Sequence, residues 1–108
     1  MAMTKKQARE FVEDNSNWQT VEQTTLHRTL FLDYKGHRWM KFDAWHVRES
    51  FRWEIEHGAP EEFYEWQEIG VYEFNSEKDA VTERTTIPRI ADKVWELSRR
   101  NNHAEKKK

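Results

Sequence analysis

Residues 26–45 read LHRTLFLDYKGHRWMKFDAW. Two runs rich in apolar and aromatic side chains, Leu26 to Tyr34 and His37 to Trp45, flank Tyr34-Lys35-Gly36, the pattern of a β-hairpin. Gly36 supplies the positive φ that so tight a turn needs. On this register Leu30, Leu32 and Trp39 fall on one face, and Phe31, Met40 and Phe42 on the other. Large apolar groups on both faces require either strands covered on both sides or one face that meets a partner.

Outward from the hairpin, Val47 to His57 alternates Val47, Phe51, Trp53 and Ile55 with charged and polar neighbours, the period of a half-buried strand. His57-Gly58-Ala59-Pro60 reads as a turn. Glu62 to Phe74 fits a long strand or, with Pro60 near the first helical position, a helix ending at Gly70; the strand is preferred. Asn75 to Asp79 is a polar turn, and Ala80 to Thr86 a last strand. Thr86-Ile87-Pro88 then opens a helix whose stripe is Ile87, Ile90, Ala91, Val94 and Leu97, running to about Arg100. At the other end Thr4 caps a short helix to Asp14, with Ala8, Phe11 and Val12 on one side. The expected architecture is α+β, an antiparallel β-meander of four or five strands between a short N-terminal helix and an amphipathic C-terminal one. Residues 1–100 form a single domain on this reading, and 101–108 a basic, mobile tail.

A chain of 108 residues accommodates one hydrophobic core. Only 36% of residues are hydrophobic, but 14% are aromatic, so each buried ring removes a large area from water and a folded core is expected. The absence of cysteine excludes disulfides, thiol catalysis and thiolate metal sites. Met1 to Asn15 contains no continuous apolar run, which argues against a signal peptide or membrane span and for a cytoplasmic location without membrane contact.

The overall charge of −2 conceals an uneven distribution. Residues 53–83 hold ten carboxylates against Lys78 alone, a net −9, whereas residues 1–52 carry +2 and 84–108 carry +5. Glu54, Glu56, Glu61, Glu62, Glu65 and Glu68, interleaved with Tyr64 and Trp66, are therefore the candidate surface for a protein partner with a basic face. The competing reading of the same glutamates is a solvated sheet face paired with Arg48, Arg52 and the basic C-terminal helix. An alternative site, for nucleotide or nucleic acid, would use Arg38, Trp39, Lys41, Arg48 and Arg52 on the first three strands. A pI near 6.2 makes it the second choice.

His27, His37, His46 and His57 lie near carboxylates in the sequence, but their spacing matches no metal signature, so neither a metal nor a cofactor is expected. There is no Gly-rich phosphate loop and no Gly-x-Ser-x-Gly elbow, and the chain reads as a binding protein rather than an enzyme. In its small size, acidic middle, many aromatics and lack of cysteine, with the opening Met1-Ala2-Met3, it resembles accessory proteins of double-stranded DNA bacteriophages. That resemblance implies a protein that binds and inhibits a host enzyme handling nucleic acid, or a defence complex.

Overall fold

The computed structural model describes residues 2–49, 56–58 and 62–106, with side chains described for 2–46, 56–58 and 64–100. Helix α1 (Lys5–Glu13) starts at a capping box: Gln7 N donates to Thr4 Oγ1 at 3.1 Å, and Thr4 N donates to Gln7 Oε1 at 2.9 Å. A single 3₁₀ turn (Asn15–Asn17) follows. Five strands come next: β1 (Gln19–Gln23), β2 (His27–Tyr34), β3 (His37–Glu49), β4 (Glu62–Asn75) and β5 (Ala80–Thr85). Helix α2 (Ile87–Lys106) closes the chain, with Arg89 N donating to Thr86 Oγ1 at its start.

The strands pair in chain order β1-β2-β3-β4-β5, every pair antiparallel. The α+β meander with two flanking helices is thus the observed architecture, although its strands differ from the expected ones in three respects. Gln19–Gln23 is an additional edge strand, all of it exposed. No break separates Trp45 from Val47: β3 runs through both because His46 and Val47 continue the ladder to Glu65 and Tyr64. The rest of the anticipated Val47 to His57 strand falls at 50–55, outside the described residues, and 56–58 is a helix end and turn. Helix α2 also continues past Arg100 to Lys106.

The β2–β3 turn is the two-residue Lys35-Gly36, with φ of 48° and 82°. Both values are left-handed, as in the primed turn whose twist matches that of the flanking strands. From it the register runs Leu32↔Trp39, Leu30↔Lys41 and Arg28↔Asp43 on one face, and Phe31↔Met40 and Thr29↔Phe42 on the other.

Both helices pack on the first of these faces. Ala8 and Val12 of α1, Ile90, Ala91, Val94 and Leu97 of α2, and Trp18, Leu30, Leu32, Trp39 and Val71 form one buried cluster. Trp18 anchors the link between α1 and the sheet by donating its indole N–H to the Val12 carbonyl at 2.8 Å. Trp95 of α2 lies between the Lys5 ammonium at 4.8 Å and the Arg99 guanidinium at 4.7 Å. The molecule is only 19 Å through its thinnest axis, the depth of two layers. Its other sheet face bears half-exposed aromatic rings, and both helices lie on the far side from it.

Val94 is wholly buried at the centre of the α2 stripe. Val94→Asp leaves a carboxylate there without a partner and is expected to cost about 2 to 5 kcal/mol. Thermal unfolding followed by circular dichroism should show the midpoint falling by roughly 10 °C or more. A variant melting with the wild type would mean that the stripe does not face the core.

Candidate functional site

Strand β2 meets β3 only as far as His27↔Ala44, after which Trp45 N donates to the Leu26 carbonyl at 2.8 Å. Strand β5 pairs with β4 only over Val71–Asn75. Beyond Trp45, β3 and β4 therefore continue as a two-stranded ribbon, pairing His46↔Glu65, Val47↔Tyr64, Arg48↔Phe63 and Glu49↔Glu62.

One side of this ribbon carries an aromatic ladder. Trp45 lies opposite Trp66, their rings 5.3 Å apart and edge to face, and stacks on Tyr64 at 6.2 Å with the planes 16° apart. The Arg28 guanidinium covers Trp66 at 4.7 Å, and its Nε donates to Asp43 Oδ2 at 2.8 Å. Five side chains from three strands thus form a column from a buried carboxylate out to an open ring. Exposure rises along it: Asp43 is buried, Trp66 half-buried, and Trp45 and Tyr64 are 38% and 58% exposed.

At the base of the ribbon lies a cleft of about 320 Å³ between β3, β4 and the ends of both helices. Val12, Ile87 and Trp66 line its sides, Lys41 and Asp43 its floor, and Glu13, Asn15 and Glu68 also border it. Lys41 donates from Nζ to Asn15 Oδ1 at 2.6 Å and sits over the Trp18 ring at 4.6 Å. Burial holds its ammonium below the ordinary lysine range; Asp43 and Glu68 pull it back up, and Arg28 pushes it down. The floor cations are each matched, Lys41 by Asn15 and the neighbouring carboxylates, Arg28 by Asp43. Glu13 and Glu68 are exposed, and among the described residues neither makes a side-chain hydrogen bond or ion pair, although Glu68 acts on Lys41 through its charge.

Of the residues that the sequence suggested for a partner, Tyr64, Trp66 and Glu68 come together on this side of β4. Glu65 lies on the opposite side, across from His46. Glu56 is exposed in the short piece 56–58. Glu54 and Glu61 lie outside the described residues, as does the side chain of Glu62. The alternative set is scattered. Trp39 is 0% exposed in the core and offers no platform for stacking, and Lys41 is buried in the cleft. Arg38 is on the far face, over Phe31 at 4.5 Å and bonded to Asp33 at 2.6 and 3.0 Å. Arg52 and the side chain of Arg48 lie outside the described residues.

Glu13 and Asn15 carried no signal in the sequence, since they reach the cleft only because α1 ends beside the sheet. Trp45 stood in the sequence only as the end of the second hairpin run, and the β3–β4 register brings it opposite Trp66. Among the described residues no three His, Asp or Glu side chains converge as metal ligands, and no helix is long and apolar enough to cross a membrane. No protein-family model, curated protein or solved structure matches this chain.

The lowered pKa of Lys41 has a definite sign in stability. Between its folded value and the unfolded one near 10.5 the folded state binds fewer protons, so stability rises with pH across that window. Urea unfolding of wild type and Lys41→Met on the alkaline side should show wild type gaining on the variant as pH climbs. A difference that stays flat with pH would place the ammonium in water.

Proposed function

We propose that the chain is a non-catalytic protein-binding module that docks a basic partner through the aromatic ladder and the carboxylates at its base. The observation that carries this reading is the Trp45–Tyr64 stack, with both rings exposed on a ribbon that no other strand flanks among the described residues. Tyr and Trp offer large contact area at low cost in conformational entropy, and they dominate the binding energy of protein interfaces. Trp66 and Arg28 brace the stack from behind, so it is ordered before the partner arrives.

The basic character of the partner is supported by the charges around the cleft. Its cations are already matched by Asp43 and Asn15, and Glu13 and Glu68 at its border add exposed carboxylates beyond what the buried Lys41 answers. Enzymes that handle nucleic acid carry basic grooves, and carboxylates can occupy such grooves in place of phosphates. Inhibition of a host enzyme of that class is the activity this reading implies. The nucleic-acid alternative retains only Arg38 among its described residues in an accessible position and is the weaker reading.

The test begins with affinity capture of the partner from the native host. Trp45→Ser with Tyr64→Ser should keep the fold and weaken binding by about 2 kcal/mol or more, some thirtyfold. Glu13→Gln with Glu68→Gln should slow association by about tenfold at low salt, and this loss should vanish as salt rises. A folded Trp45/Tyr64 variant that binds like wild type would move the interface away from the ribbon.

A further inference from the structure

The sheet face turned away from both helices carries a cluster of aromatic side chains apart from the ladder. Phe31, Phe42, Tyr72 and Phe74 lie on it half-exposed, beside the nearly buried Met40. Their rings pack in pairs, Phe31 with Phe74 at 4.9 Å and Phe42 with Tyr72 at 5.6 Å. Tyr72 also spreads over Gly70, where a Cβ would come within 2.9 Å of its ring. In a chain with 35% charged residues, the middle of this face holds one ion pair among the described residues, Arg38 with Asp33, which neutralises itself.

Charge reappears at the two edges with opposite signs. Glu22 of β1 pairs with Thr29, and Arg84 of β5 pairs with Tyr72, which places both side chains on this face. Both are exposed, and among the described residues neither makes a side-chain hydrogen bond or ion pair. A face with a neutral apolar middle, one acidic edge and one basic edge is complementary to itself. About a two-fold axis parallel to the strands, β3 of one copy crosses β3 of the other, and each β5 edge lies over the partner's β1 edge. Arg84 then faces the edge that carries Glu22, which is offset by one same-face step of about 7 Å, within reach of an arginine side chain.

We infer that this face joins two copies of the chain into a symmetric dimer, the sheets stacked about 10 Å apart with the helices outermost. Five strands spaced about 4.8 Å apart and roughly 20 Å long give a projected footprint of about 500 Å², near the lower limit for specific interfaces. The dimer is accordingly weak and reversible, with a dissociation constant in the micromolar range.

Sedimentation equilibrium of the full chain, from low micromolar to near-millimolar concentration, tests this. The mass should rise from 13.3 kDa to twice that value. Phe42→Glu should stay monomeric throughout while melting close to wild type. The charge swaps make the test independent of whether that variant folds. Glu22→Arg and Arg84→Glu should each weaken the dimer about tenfold, and the double swap should restore it. Trp45→Ser with Tyr64→Ser should leave dimerisation untouched, which separates this surface from the ladder. Wild type that stays monomeric overturns the inference and leaves the face to a different partner. A double swap no better than the singles, or a folded Phe42→Glu that dimerises normally, overturns it equally.

Discussion

Trp39 is the largest wholly buried side chain among the described residues, and it sits on the central strand at the point that α1 and α2 both cover. Its burial is so complete that the indole N–H finds no acceptor among the described groups, a cost of about 1 to 3 kcal/mol that the surrounding packing has to outweigh. With this face of β3 dry, the chemistry of its neighbours follows. Lys41, two residues on, points the same way and must be held by Asn15 and the Trp18 ring, because water reaches it poorly. Asp43, two further, must be paired with Arg28. The cleft is the place where a dry face runs out from under its helices and polar residues take over.

What happens beyond the cleft is governed by one extra residue. The register shifts between Phe42↔Gly70 and Asp43↔Glu68, leaving Ile69 unpaired and 53% exposed. Strict alternation from Tyr72 would put Glu68, Trp66 and Tyr64 on the open face beside Phe42. The bulge reverses their parity and turns them to the helix side, where they join Trp45 and Arg28. It thereby separates two aromatic surfaces that the sequence runs together: a self-contained one on the open sheet face and a projecting one on the ribbon.

This explains what could be read from the residues alone. The hairpin at Lys35-Gly36, the α2 stripe and the Thr4 cap are local patterns, and each appears where its periodicity or turn chemistry puts it. Strand β1 escaped notice because an edge strand pairs through its backbone, and Gln19–Gln23 offers Val21 as its sole apolar residue. Tyr64 and Trp66 share one face because they stand two apart in β4 and alternation holds there, on the Trp45 side of the bulge. Which face it is, and that Trp45 lies opposite Trp66, depend on the Ile69 bulge and on a register set across a long β3–β4 connection. Neither leaves a mark in composition. Trp39 and Lys41 looked like partners of Arg38, yet in a pleated strand neighbours point to opposite faces, so one face took Arg38 and the other took the pair.

The acidic stretch shows the same separation in electrostatic terms. Along the chain residues 53–83 carry nearly all of the negative excess, but β4 and β5 deal their carboxylates to different surroundings. Glu73 and Glu83 face a polar groove that α2 borders with Arg89 and Lys93, so the basic C-terminal segment answers part of the charge within the molecule. Glu68 borders the Lys41 cleft, and Glu65 lies across the ribbon from it in the opposite direction. A net −9 in sequence is therefore not one acidic surface. Glu13 and Glu68 beside the ladder and Glu22 at the β1 edge are exposed carboxylates that border the two aromatic surfaces. Exposed carboxylates and exposed rings thus lie side by side on both of these surfaces, and that coincidence is what distinguishes them from ordinary solvated sheet.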